Sequence, residues 1–330
     1  MLSAPSGRAG EGSAPIIPVP LSPRERGFDL AIELHLPDVT LCCVDTRLHA
    51  LALRSLAKSC RGIRFGKVVL LTDSHPRDVA VPPDVEVREV AGIASRRDYS
   101  AFIMKRLVDH VETAHVLVTQ WDGYVVRPEA WHAEFLDQDY IGAPWRKATE
   151  GFRVGNGGFS LRSRRLLTAL SDDRFQPVLN EDQDICGSYR PALERDYAIR
   201  FADEALADSF SFETDPGPWL AGTPIFGFHG FYNLFLTESQ AEIARLAETL
   251  PHEVLRSSAC RDLLSNCVNY KQWDAGIALG TRMLEADADD YKTAELVTAA
   301  RTFRAADAAV RAPRTASMAA RLLGWARSRR

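Results

Sequence analysis

The sequence lacks the patterns that mark several classes of protein. Its 330 residues include six cysteines, none of which forms a C-x-x-C pair or stands with a histidine at zinc-finger spacing. No run of about 18 apolar residues occurs, so we expect no membrane-spanning helix. Lysine and arginine number 40 against 44 aspartates and glutamates, and this net charge of −4 gives no overall basic excess that would indicate nucleic-acid binding. We therefore predict a protein of the reducing cytoplasm with buried free thiols.

Two common nucleotide-binding loops are also missing. The glycine cluster at 155–158 reads Gly-Asn-Gly-Gly and matches neither G-x-G-x-x-G nor G-x-x-x-x-G-K-[ST]. This excludes a P-loop at the most glycine-rich part of the chain.

The two ends of the chain differ in composition from the rest. The proline, glycine and serine of residues 1–27 predict a flexible leader without the apolar core of a signal peptide. The last thirty residues contain eight arginines and one aspartate, and they end on MAARLLGWARSRR. We expect either a solvated tail or a basic amphipathic segment that contacts anionic lipid at the inner face of a membrane.

Short apolar runs alternate with helical patterns in the first half of the chain. The predicted strands cover 38–45, 67–73, 84–90 and 115–120, and the predicted helices cover 46–60 and 98–113. This order indicates an α/β fold with a mainly parallel sheet.

The pattern changes after residue 145. The glycine cluster leads into a short strand, Ser163 is expected to cap a helix through Leu170, Glu181 opens a helix to about Arg195, and 225–230 is an apolar strand. From Glu238 the chain is helical, and residues 269–286 with the following helix resemble one tetratricopeptide-type hairpin. We predict a leader at 1–27, one α/β domain at 28–237 and a helical region with a basic tail at 238–330.

Acidic residues fall where three predicted strands end. Asp45, Asp73 and Asp122 all lie at carboxyl ends of strands, which is where open α/β sheets bind their ligands. We expect this rim to hold a polar ligand, with a cation on Asp122. The alternative is that these are ordinary loop acids that hydrogen-bond their own turns.

Three further groups have both a functional and a structural interpretation. The glycines at 155–158 either let the backbone approach a ligand closely or form a hairpin or bulge. Glu181 and Asp182 either supply a general base or cap a helix. His229, between two glycines in an aromatic strand, either binds a metal or phosphate or is a structural histidine.

The order Asp122, glycine cluster, acid pair, His229 resembles that of GT-A-type glycosyltransferases. The strings QWDGY, YIGAPW, VGNGGFSLRSRRLL and FGFHG resemble more closely an uncharacterised bacterial family described as GT-A-like. The resemblance covers about residues 37–235. It implies a GT-A-like, Rossmann-related, mainly parallel sheet flanked by helices, here followed by a helical C-terminal extension.

The resemblance implies a metal-assisted donor site. Gln120, Trp121 and Asp122 occupy the place of the family's D-x-D motif, with Gln120 in place of the first acid. Asp122 and His229 are the implied ligands of Mn²⁺ or Mg²⁺. Because an amide offers a neutral oxygen where the family has a carboxylate, dependence on a metal stays open.

The remaining roles are assigned by the same resemblance. The implied donor residues are Asp45 and Thr46 at the base and ribose, Asp73 on the nucleotide rim and Lys105 at a phosphate. Asn156, Gly157 and Gly158 match the acceptor side. Of the acid pair, Asp182 is preferred to Glu181 as the base that deprotonates the acceptor.

The function implied is transfer of a sugar from a nucleoside-diphosphate sugar to a hydroxyl of a glycan or lipid-linked acceptor, with inversion. One alternative is a GT-A-like protein that binds a sugar nucleotide or glycan without catalysis. A second is a nucleotidyltransferase, although the segment 45–49 lacks the glycines such enzymes have after the first strand. An interaction scaffold built on the helical region is the least supported, because one loose repeat does not make an array.

Overall fold

A six-stranded mixed sheet lies at the centre of the computed structural model, which describes residues 34–77, 79–148 and 152–311. The strands of the described chain are β1 (Leu34–Val44), β2 (Ile63–Thr72), β3 (Glu86–Glu89), β4 (His115–Thr119), β5 (Tyr124–Val125), β6 (Tyr140–Ile141), β7 (Phe159–Ser163), β8 (Ser211–Phe212) and β9 (Gly227–Phe228). The large sheet has the order β3-β2-β1-β4-β7-β6. The predicted leader and basic tail lie outside the described residues.

The first four strands of the large sheet are parallel, as the sequence predicts. Their apolar runs are buried because helices cover both faces; Leu41 and Cys43 have no exposed surface. β7, however, runs antiparallel to both β4 and β6. The sheet is therefore mixed: β3, β2, β1 and β4 are parallel to one another, and β7 is antiparallel to its two neighbours.

A smaller sheet of three two-residue strands lies beside the large one in the order β5-β9-β8. Tyr124 pairs with Phe228 in antiparallel fashion, and Phe212 pairs with Phe228 in parallel fashion. The predicted strand at 225–230 is thus only two residues long. Its pairing brings the segment after β4 next to the segment after β9.

Thirteen α-helices are present in the described residues. They are α1 (His49–Ser59), α2 (Arg96–Lys105), α3 (Arg164–Leu170), α4 (Glu181–Gln183), α5 (Arg190–Tyr197), α6 (Glu204–Phe210), α7 (Gly217–Leu220), α8 (Leu234–Thr237), α9 (Gln240–Thr249), α10 (His252–Leu255), α11 (Ser258–Asn269), α12 (Trp273–Ala286) and α13 (Tyr291–Arg311). The predicted helix at 98–113 ends early and passes into a 3₁₀ turn at Leu107–His110. The one predicted from Glu181 is divided by a π-helical turn at Asp184–Ser188.

The helical C-terminal region packs directly on the small sheet. One hydrophobic cluster includes Tyr124 and Phe228 together with Leu264, Leu279 and Ala300 of the C-terminal helices. α12 and α13 form the predicted helical hairpin, and its tetratricopeptide character stays a prediction. None of the helices in the described part of the chain is long and apolar enough to cross a membrane.

A buried carboxylate connects the helical region to the sheet. Glu238, which lies between α8 and α9, accepts hydrogen bonds from the hydroxyl of Tyr124, from Arg54 and from Lys58, the last at 2.7 Å. Its side chain is 1% exposed. Because a buried charge is stable only when it is paired, this cluster fixes α1 against the start of α9.

Candidate active site

Asp122 and His229 face each other across the pairing of β5 with β9. Asp122 lies in the turn that joins β4 to β5, and His229 directly follows β9. The distance from Asp122 Oδ1 to His229 Nε2 is 3.3 Å. The second carboxylate oxygen of Asp122 accepts a hydrogen bond from the amide of Phe231 at 3.2 Å. The structure therefore brings together the two residues predicted to bind a metal, 107 positions apart in the sequence.

The other ring nitrogen of His229 faces Glu213 and Asn156. Glu213 Oε1 is 3.0 Å and Asn156 Nδ2 is 3.1 Å from His229 Nδ1. Asn156 has a left-handed backbone (φ 68°), and its side-chain oxygen accepts a hydrogen bond from the amide of Phe159 at 3.1 Å. The sequence analysis missed Glu213. The sequence predicts no strand at 211–212, so the reasoning about acids at strand ends does not reach Glu213.

The two carboxylates control the charge of the histidine. Burial alone lowers the pKa of His229, but Asp122 and Glu213 outweigh burial and raise this pKa to about 10. Burial raises the pKa of Asp122, but His229 outweighs it and holds the pKa of this carboxyl below its usual value. The three side chains, which are 13–21% exposed, therefore form a partly buried ionic group of two carboxylates around one imidazolium.

The glycine loop packs against both the histidine and the acid pair. A Cβ at position 158 would lie 2.1 Å from His229 Nε2, and one at position 157 would lie 2.0 Å from Glu181 Oε1. The amide of Gly157 donates a hydrogen bond to Asp182 Oδ2 at 3.1 Å. Only glycine allows these close approaches, so the two glycines connect the pair of Asp122 and His229 to the acid pair.

A fully buried arginine lies behind the glycine loop. Arg162 Nη2 is 3.4 Å from Glu181 Oε1 and 3.3 Å from the carbonyl oxygen of Gly157. Burial raises the pKa of Glu181 although Arg162 acts in the opposite direction. The sequence analysis missed Arg162 because a charged residue in the predicted strand after the glycines gives no sign of its buried partner.

Gln120 and Trp121 are held by their neighbours. Gln120 donates its side-chain amide to the hydroxyl of Tyr99 at 3.2 Å, and its backbone N–H donates to the carbonyl of Gly158 at 2.8 Å. The ring of Trp121 packs on Phe231 with centroids 5.3 Å apart. The segment in the D-x-D place is therefore joined to the glycine loop.

The predicted nucleotide rim lies at the ends of β1 and β2. Asp45 Oδ1 accepts hydrogen bonds from the amides of Arg47 and Leu48 at 2.8 and 2.5 Å, which form the turn before α1. Thr46 donates its hydroxyl to the carbonyl of Ile93 at 3.2 Å, and Asp73 is exposed. Asp45 thus hydrogen-bonds its own turn, which is the structural alternative stated for the acids at strand ends. The predicted nucleotide contacts stay predictions.

Lys105 binds two backbone carbonyl groups. Its ammonium donates to the carbonyl oxygens of Leu170 and Asp172 at 2.8 and 2.7 Å, at the end of α3. Burial lowers the pKa of Lys105. These two hydrogen bonds give Lys105 a structural role that requires no phosphate. The predicted phosphate contact stays a prediction.

Asp122 and His229 fit a divalent cation that is shared with a substrate. Asp122 Oδ1 and His229 Nε2 are buried and lack a partner with hydrogen-bond geometry. The described residues contain no group of three or more His, Cys, Asp or Glu side chains placed to hold a metal. Two protein ligands with substrate oxygens completing the shell is the arrangement that Mg²⁺ adopts at phosphates. The proton on His229 would have to leave, since it competes with a cation.

The comparisons with known proteins give limited similarity. Residues 84–229 match a family described as "Protein of unknown function (DUF5672)", and this range contains Asp122, the glycine loop, the acid pair and His229. No curated protein matches the chain.

Two solved structures, one of them described as a glycosyltransferase, show distant structural likeness. The apo form of GlyE from Streptococcus pneumoniae TIGR4 matches at 17% identity and a TM-score of 0.36, over 58% of this chain and 54% of that chain. TarS residues 1–349 from S. aureus, in complex with UDP-GlcNAc, matches at 13% identity and a TM-score of 0.28, over 82% of this chain and 92% of that chain. The chain thus spans about half the length of the GlyE structure. These TM-scores are too low to assign an activity.

Proposed function

We propose that this protein is a glycosyltransferase that moves a sugar from a nucleoside-diphosphate sugar to a hydroxyl of a glycan or lipid-linked acceptor, with inversion. One observation carries the proposal: the groups matching the GT-A motif order meet in one site. His229 faces Asp122 and packs on Gly158, while the neighbouring Gly157 binds Asp182.

Asp122 and His229 form the donor side in this proposal. Asp122 Oδ1 and His229 Nε2 would hold a divalent cation together with the diphosphate of the donor, in place of their contact with each other. Such a cation, when bound, neutralises the charge on the leaving nucleoside diphosphate. Glu213 orients the imidazole through Nδ1, since metal-binding histidines commonly have a carboxylate on the nitrogen that does not bind the metal.

Asp182 is the base on the acceptor side. Its Oδ1 accepts from the amide of Gln183 at 2.8 Å and its Oδ2 from the amide of Gly157, so the carboxylate is fixed at the start of α4. It is half-buried, whereas Glu181 is buried on Arg162. Access therefore favours Asp182 as the group that takes the proton from an acceptor hydroxyl.

A sugar-nucleotide-binding protein without catalysis is the second candidate. The observation that favours it is Gln120, which stands where the family has an acid and whose amide is hydrogen-bonded to Tyr99. A site with one fewer charged ligand binds a cation less strongly. This candidate predicts binding of the same donors without release of nucleotide.

The deciding experiment combines binding with turnover. The full chain is incubated with UDP- and GDP-sugars and Mn²⁺, and both the thermal shift and the release of nucleotide are measured. We expect a shift and slow donor hydrolysis, with hydrolysis reduced at least about 100-fold in Asp122→Asn. Asp137→Asn, an exposed aspartate outside the site, is the matched control. A shift without release supports the binding protein, and unchanged hydrolysis in Asp122→Asn contradicts the site.

A further inference from the structure

A basic groove lies between α1 and α9, away from the candidate active site. Arg54, Lys58 and Arg61 line it on one side and Glu242, Arg245 and Leu246 on the other, around a cavity of about 330 Å³. We call it the α1–α9 groove. It shares no lining residue with the site around Asp122, so its role can be tested independently of the proposed glycosyl transfer.

The groove has more positive charge than its acids neutralise. Arg54 and Lys58 are paired with the buried Glu238, and Lys58 also lies 4.0 Å from Glu242. Arg61 and Arg245 are exposed and make no ion pair with the described residues. Four cations against two carboxylates leave a net charge of about +2 in one concave space.

The two paired cations are held rigidly. Arg54 and Lys58 lie over the ring of Tyr124, with their charged groups 5.5 and 5.1 Å from its centroid. Glu238 fixes both of them from below. Because Glu238 and Glu242 neutralise these two cations, Arg61 and Arg245 carry the excess positive charge of the groove and are the groups that can turn towards a ligand.

We propose that the α1–α9 groove binds a phosphate-bearing ligand. Guanidinium groups bind phosphate oxygens through paired N–H donors, and Arg61 and Arg245 supply two of them from opposite walls. The side chain of Leu246 offers an apolar surface for the organic part of a phosphate ester. A soluble phosphate compound and a lipid phosphate headgroup share this chemistry.

The test uses the full chain and defined phosphate probes. Binding of inorganic pyrophosphate is measured by calorimetry at constant ionic strength, and vesicles of phosphatidylcholine with or without phosphatidic acid are measured by co-sedimentation. The variants are the double change Arg61→Gln with Arg245→Gln, the single change Glu242→Gln, and the control Arg301→Gln, an exposed arginine on α13. Arg61, Arg245 and Arg301 are exposed, whereas Glu242 contacts Lys58 and Ser239 and contributes to stability. The melting temperature of every variant is therefore measured, and binding is compared at a temperature at which all of them are folded.

We expect saturable binding that the double variant weakens at least 10-fold and the control leaves unchanged. Glu242→Gln removes a negative charge that faces the groove, so it should strengthen binding several-fold. Pyrophosphate binding without vesicle binding identifies a soluble ligand, and specific loss of phosphatidic acid binding in the double variant identifies a headgroup. The proposal is overturned if neither probe saturates, or if the double variant and the control bind equally.

Discussion

Gly158 is in contact with His229 so closely that even one added carbon would displace the imidazole. A Cβ at this position would be 2.1 Å from Nε2 and 2.4 Å from the two neighbouring ring carbons. The glycine thus fixes where the histidine can lie, and through it the distance to Asp122.

We expect Gly158→Ala to move His229 and disrupt its pairing with Asp122. Overpacking a buried site costs roughly 1–3 kcal/mol, which urea denaturation measures, and NMR of the imidazole reports the lost pairing directly. Gly187→Ala is the matched control, because nothing lies within 4 Å of its added Cβ. Equal stabilities and an unchanged imidazole resonance in the Gly158 variant would contradict the assigned packing.

Glu238→Gln should destabilise the protein strongly. The change leaves Arg54 and Lys58 without their buried carboxylate, and breaking a buried ion pair costs about 3 kcal/mol or more. The free energy of unfolding is measured by urea denaturation. Glu253→Gln is the control, since its pair with Arg47 is exposed and should contribute less than about 1 kcal/mol. If both variants lost the same free energy of unfolding, the buried ion pairs of Glu238 would contribute no more to stability than an exposed ion pair, which contradicts the prediction.

Stability should fall in acid through Glu242. Burial alone raises its pKa, but Lys58 and the amide of Ser239 outweigh burial and lower the pKa from 4.5 to about 2. Because the folded-state value is depressed, the stabilisation is present above about pH 4.5 and is lost as the pH falls towards 2. The stabilisation by ionised Glu242 is on the order of 2–3 kcal/mol.

The measurement is the difference in unfolding free energy between the wild type and Glu242→Gln at pH 7 and at pH 3. We expect this difference to shrink at pH 3, while Glu248→Gln, exposed on the same helix, shows no such change. If the difference in unfolding free energy between the wild type and Glu242→Gln were the same at pH 7 and pH 3, the ionised carboxylate of Glu242 would not be the form that stabilises the protein.

Asp182→Asn should abolish transfer while the donor still binds. Loss of a general base reduces the rate by roughly 10²–10⁴-fold, measured as kcat once a donor and acceptor are known, with the donor-induced thermal shift retained. Glu181→Gln should instead reduce stability, because it leaves the buried Arg162 without its carboxylate. Full transfer activity in Asp182→Asn would assign the base to another group.

The sequence was most informative where a segment determines its own structure. β1, β2 and β4 contain apolar runs and each overlaps its predicted range, although β1 and β2 begin four residues earlier than predicted. Ser163 caps α3 as expected, with its hydroxyl accepting a hydrogen bond from the amide of Leu166 at 3.0 Å. Caps and buried strands are local features, so a single sequence is enough to find them.

The features that were missed depend on contacts between distant segments. β6 has only two residues and exists because β7 pairs with it, which no periodicity in two residues can reveal. Glu213 reaches His229, and Arg162 reaches Glu181, only after the sheets have formed. The family resemblance assigns Lys105 to a phosphate, but its partners in the structure are two carbonyl groups fixed by tertiary packing.

The hydrophobic cluster that joins Tyr124 and Phe228 to Leu264 and Ala300 makes the C-terminal helices part of the same cooperative unit as the small sheet. Opening of α11 or α13 would expose the side chains of β5 and β9 that lie next to Asp122 and His229 in the chain. Amide protons of these helices and of β9 should therefore exchange with solvent at similar rates. A molecule bound at Asp122 would slow exchange in helices that it never touches.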